Sequence, residues 1–123
     1  MKLSLILPGG RFSIWAIDLS NEAEVEDCPA KDFFEGLGEA AQKSMTGVLR
    51  QHADNGPILN EEKSRQIDDG IYEFKTRQGA RLMWFYTSGR RTILTHGFNK
   101  GASLKVELKK AKDLRARWED TNR

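Results

Sequence analysis

One cysteine, Cys28, stands in 123 residues, so no internal disulfide can form, and the default setting is a reducing one. There are two histidines, His52 and His96, far apart in the chain, and no cluster of metal-ligand residues accompanies them. The apolar run Leu3–Leu7 is too short for the core of a secretion signal and far too short to cross a membrane, which leads to the expectation of a cytoplasmic protein. Gly9-Gly10 is not followed by the spacing of a phosphate-binding loop or a dinucleotide fingerprint, so no nucleotide cofactor or other small-molecule cofactor is implied. No repeat, low-complexity segment or linker divides the chain, and the length suits one domain over residues 1–123. A composition of 38% hydrophobic and 31% charged residues excludes a membrane protein and is unlike a disordered chain.

The net charge of +2 conceals an uneven distribution. Residues 1–62 hold five Lys/Arg against eleven Asp/Glu, a balance of −6, whereas residues 63–123 hold fifteen against seven, a balance of +8. A basic half suggests a surface that meets an anion such as nucleic acid, unless the two halves intermix on folding.

Residues 70–101 organise the rest. Three consecutive strands, rich in aromatic and β-branched residues, are read here: Ile71, Tyr72 and Phe74 begin the first, before Gln78-Gly79, Leu82–Tyr86 make the second, before Ser88-Gly89, and Ile93, Leu94 and Phe98 carry the third. Alternation along the first puts Glu73, Lys75 and Arg77 on one face and Tyr72, Phe74 and Thr76 on the other, while His96, Phe98 and Lys100 share a face of the third. Such a face suits a phosphate-rich ligand, because the guanidinium fork matches phosphate oxygens. It is also what an antiparallel sheet with one solvated side would show.

Upstream, Arg11–Leu19 is apolar on both faces and reads as a buried strand, and the run Leu3–Leu7 as a tail or short edge strand. Helices are expected over Ala30–Leu37, after Pro29, and over Glu39–Ala53, with Ala41, Met45, Val48, Leu49 and His52 facing the sheet. His52 is read as a structural helix-end residue. Ile58–Asp69 reads as a polar connection, in which Lys63 and Arg65 could touch a phosphate backbone. A last helix, Ser103–Trp118, carries the stripe Leu104, Leu108, Ala111, Leu114, Trp118 and an opposite side of Lys and Arg.

Three pieces in order carry a resemblance: Ile71-Tyr72-Glu73-Phe74-Lys75, Arg81-Leu82-Met83-Trp84-Phe85-Tyr86, and Ile93-Leu94-Thr95-His96-Gly97-Phe98-Asn99-Lys100. Together they resemble the RelE-like type II toxins, in particular the phage-derived branch near HigB, with its "LYELR…YRVFYF…IVLLHGFVKK". The resemblance implies an α+β fold, a curved and mainly antiparallel sheet with two N-terminal helices packed on it and a C-terminal helix. It implies metal-independent cleavage of mRNA on the ribosome, in which the RNA 2′-hydroxyl attacks the adjacent phosphate, and a helix-turn-helix antitoxin as partner. Residue by residue it makes Arg81 the first candidate for the phosphate, with Lys75 adding charge and His96 as acid or base. Arg77, Lys100, Lys63 and Arg65 become candidate RNA contacts. The chain departs from the family pattern after Lys100, where a second Lys and "TQKTP" give way to Gly101-Ala102-Ser103-Leu104. That loss of a cation keeps a second possibility open, a non-catalytic RNA- or protein-binding module on the same fold.

Overall fold

The computed structural model describes residues 1–122. Six strands form one sheet: β1 (Lys2–Leu7), β2 (Ser13–Asp18), β3 (Ser64–Asp68), β4 (Ile71–Lys75), β5 (Ala80–Thr87) and β6 (Arg91–Asn99). The spatial order is β1-β2-β6-β5-β4-β3. Only the β2–β6 pair is parallel. Helices α1 (Pro29–Glu35) and α2 (Glu39–Asn55) lie in the long connection after β2, and α3 (Leu104–Thr121) follows β6.

Alternation along the strands supplies two apolar faces, and each is covered. Ile14, Ala16, Phe74, Leu82, Trp84 and Leu94 point toward α1 and α2, where they meet Ala30, Met45, Leu49 and Ala53. Ile17, Ile71, Met83, Phe85 and Ile93 point the other way and meet Ala111 and Trp118 of α3. The Arg115 guanidinium also lies 5.1 Å from the centre of the Phe85 ring, tying α3 to β5. The α+β architecture expected from the resemblance is therefore present, with α3 on the face opposite the N-terminal helices.

The close fit of α1 explains a glycine in the third motif. A Cβ on Gly97 would come within 2.1 Å of the Phe33 ring, because α1 rests directly on β6 there. Gly97→Ala should lower stability by about 2 kcal/mol through overpacking, read as a lower urea midpoint with unchanged slope.

Two expectations need correction. Ile58–Asp69 is not all connection: Ser64–Asp68 pairs antiparallel with β4 as the outer strand β3. A polar outer strand needs only backbone partners on one side, so its sequence shows little apolar periodicity. In α3, Leu104 is 41% exposed and falls outside the packed stripe, whereas Glu107 is buried within it. The basic side of α3 is largely neutralised: Lys109, Lys110, Lys112, Arg115 and Arg117 each face a carboxylate, of Asp113, Glu107, Asp68, Glu119 and Glu24 respectively.

Candidate functional site

A cationic cluster sits on the α3 face, across β3, β4 and β5. Strand register sets Arg65 of β3 directly beside Glu73 of β4, and Arg81 of β5 beside Lys75, one rung along. Glu73 is fully buried, and its Oε1 accepts from Arg65 Nε at 2.7 Å and from Arg81 Nη1 at 2.8 Å. One carboxylate oxygen thus holds two guanidinium groups, and Arg81 retains only 17% side-chain exposure. Charge-assisted bonds of this kind fix the orientation of the fork. Glu73 Oε2 is buried and has no partner.

The two arginines, Glu73, Phe98 and Lys100 line a hollow of about 140 Å³ that is bordered by Gly101, Ala102 and Leu104. Lys100 is held in place through its backbone N–H, which donates to Gly79 O at 2.7 Å and joins the end of β6 to the β4–β5 turn. The first turn of α3 forms the rim, so the positive end of the helix dipole adds to the field of the side chains. Three cations face one carboxylate here, an excess of positive charge that a bound anion would balance. Glu73→Gln, which leaves both guanidiniums without their counter-charge, should cost about 2 kcal/mol in a denaturant titration at pH 7.

His96 lies on the same face, one rung from Arg81: Met83 pairs with His96 where Arg81 pairs with Phe98. The Phe98 ring centre is 6.0 Å from that of His96. Yet His96 opens away from the cationic hollow, into a larger one of about 490 Å³ bounded by Pro29, Gly97, Lys110 and Arg117. Its Nδ1 is 3.1 Å from Thr95 Oγ1. Its Nε2 stands 3.4 Å from Glu107 Oε2, an approach too poorly aligned to make a hydrogen bond. Burial lowers the His96 pKa, the Glu107 carboxylate opposes the shift, and the neutral imidazole is favoured.

The remaining predicted residues occupy a third place. Lys75 starts on the face of Arg81, but its ammonium reaches Glu61 O at 3.5 Å. With Lys63 and Arg77 it lines a hollow of about 420 Å³ beside Gly47 and Gln51 of α2. The seven predicted residues therefore divide into Arg81, Lys100 and Arg65 in one hollow, His96 in a second, and Lys75, Arg77 and Lys63 in a third. The sequence reading missed Glu73 as an organiser. The available signal was that it is the one acid in an otherwise cationic stretch, on a strand with strict alternation.

An α+β architecture with a six-stranded, mostly antiparallel sheet and a C-terminal helix is consistent with the RelE-like fold. The chain belongs to the family described as Phage derived protein Gp49-like (DUF891), whose model matches residues 32–119. That family is part of the RelE/ParE-like toxin superfamily. The match begins within α1 and ends within α3, so it includes β3 to β6 and every residue of the cationic cluster. None of the curated proteins compared with the chain matches it. No helix among the described residues is long and apolar enough to cross a membrane.

Proposed function

We propose that this protein is the toxin of a type II toxin–antitoxin pair, and that it cleaves mRNA on the ribosome without a metal, by attack of the RNA 2′-hydroxyl on the adjacent phosphate. The observation that carries this reading is the hollow of Arg81, Arg65 and Lys100 around buried Glu73. Charge builds on the phosphate as the pentavalent phosphorane forms, and donors already fixed in place stabilise it without reorganising. Arg81 gives Nη1 to Glu73 and keeps its other N–H groups for phosphate oxygens, with Lys100 and the α3 N-terminus beside it. His96, neutral and one rung away, is assigned the proton transfers. Lys75, Arg77 and Lys63, around the β4–β5 turn, are assigned to the RNA backbone, where their contribution would be sensitive to salt. A helix-turn-helix antitoxin of the HigB type is the proposed partner.

One observation favours the alternative, an RNA- or protein-binding module without catalysis: His96 opens away from the arginine cluster. Induced expression followed by mapping of mRNA 5′ ends separates the two. Growth arrest with discrete cuts in translated messages supports the nuclease. Folded protein that binds RNA in low salt but leaves mRNA intact on ribosomes supports the binding module.

A further inference from the structure

Across the sheet from the arginine cluster, the outer strands and the loop after α2 enclose another hollow, of about 200 Å³. Tyr72, Trp84 and Tyr86 form its aromatic wall, with Gln66 and Arg65 from β3 and Leu59, 92% exposed, from the loop. The rings are arranged as a series. Trp84 stacks on buried Phe74, with centres 4.6 Å apart and planes at 21°, and on Tyr72 at 4.6 Å and 17°. Tyr86 stands edge-on to Trp84 at 4.9 Å and to Tyr72 at 5.3 Å. Phe74 and Trp84 are buried, but Tyr72 is only half-buried, so the series ends at the hollow.

Two further features define what would continue that series. Trp84, which lines the hollow, has a buried indole N–H with no acceptor. Its ring is covered by Phe74 and Tyr72, so the surface open to a ligand is that of Tyr72. The volume falls below the roughly 300–1,000 Å³ of sites for drug-sized molecules, and suits one planar ring system. Arg65, moreover, lines both this hollow and the cationic one. An aliphatic side chain from a protein would fill the apolar part without extending the stack at the Tyr72 ring.

We propose that the Tyr72–Trp84–Tyr86 hollow is a nucleobase subsite, in which one base of single-stranded RNA extends the aromatic series. The proposal rests on the RNA-directed reading of the preceding subsection. The test uses the full chain labelled with ¹⁵N and follows the indole N–H signals of Trp15, Trp84 and Trp118 and the guanidinium Nε–H signals of Arg65 and Arg81. The ligands are the four nucleoside 5′-monophosphates, with inorganic phosphate as the comparison. At least one nucleotide should move Trp84 and Arg65 while Trp118 stays fixed, and phosphate alone should move the arginines without Trp84. Stacking on a base contributes about 1–3 kcal/mol, so Tyr72→Ala should weaken the nucleotide at least fivefold and leave phosphate unchanged. Tyr72→Phe keeps the ring and should bind as the wild type does. A Trp84 signal that no nucleotide moves, under conditions where phosphate moves Arg81, overturns the subsite and leaves the phosphate site standing. A Trp84 response with Arg81 unmoved by phosphate does the reverse. If only an added protein partner moves Trp84, the hollow is a protein contact and the proposal fails.

Discussion

Arg81→Ala protein is expected to cut ribosome-bound mRNA about 10²–10³-fold more slowly than the wild type, the loss seen when one fixed donor to a developing oxyanion is removed. The size of the effect follows from how Arg81 is held. Its side chain is 17% exposed and anchored through Nη1 to a carboxylate with no exposure at all. On the proposed function, the guanidinium would meet the phosphate without first losing conformational freedom. Arg81→Lys retains the charge, but an ammonium has no planar fork to hold Glu73 and the phosphate together, so most of the loss should persist. In Arg81→Ala, Glu73 keeps its bond to Arg65, which leaves the sheet a counter-ion and makes a folded variant the expected outcome. Thermal unfolding checks the fold and 5′-end mapping checks the activity. A folded Arg81→Ala protein that still arrests growth and cuts mRNA at the wild-type rate would remove Arg81 from the site.

The sequence made the centre of the sheet plain and its edges obscure. The strands expected from Ile71 to the Gln78-Gly79 turn, over 82–86 and around Ile93, Leu94 and Phe98 correspond to β4, β5 and β6, because buried central strands must be apolar and their turns must contain glycine. The β3 strand escaped notice because Ser-Arg-Gln-Ile-Asp has little apolar surface to bury, and its pairing with β4 is a tertiary fact. That omission also hid half of the site, since Arg65 reaches Glu73 only through this pairing. Alternation put Glu73 and Lys75 on one face correctly at the backbone, but Arg77, expected there too, lies beyond the end of β4. Lys75, however, ends its strand, and its long side chain turns back toward Glu61 O. His96 and Phe98 do share a face, but the same alternation could not show that His96 would open beside Glu107 and Lys110 of α3. The cations of α3 looked free because two of their partners, Glu24 and Asp68, are distant in the chain. The charge imbalance between the halves is thus partly cancelled in space, and what remains concentrated is the small group around Glu73.

Stability should fall by about 3 kcal/mol as the pH drops from above 6.5 to below 4, and His52 is the reason. The imidazole is fully buried among Phe12, Phe74, Trp84 and Tyr86, with Nε2 2.8 Å from Thr92 Oγ1. Among the described residues no carboxylate is paired with it, and burial brings its pKa down from 6.5 to about 4. The unfolded chain takes up the proton near pH 6.5 and the folded chain does not, so protonation favours unfolding throughout that interval. The contribution is complete above pH 6.5, is lost progressively below it, and has gone once the pH passes about 4. Burial lowers His96 as well, and its contribution has the same sign, so His96→Gln is needed as a second background. Urea midpoints at pH 7.5, 6, 5 and 4, measured with and without His52→Gln, isolate the effect. The glutamine can still bond Thr92 but does not titrate, and most of the slope between about pH 6 and 4 should vanish with it. A slope unchanged in both His52→Gln and the double variant would place the acid sensitivity in the carboxylates instead.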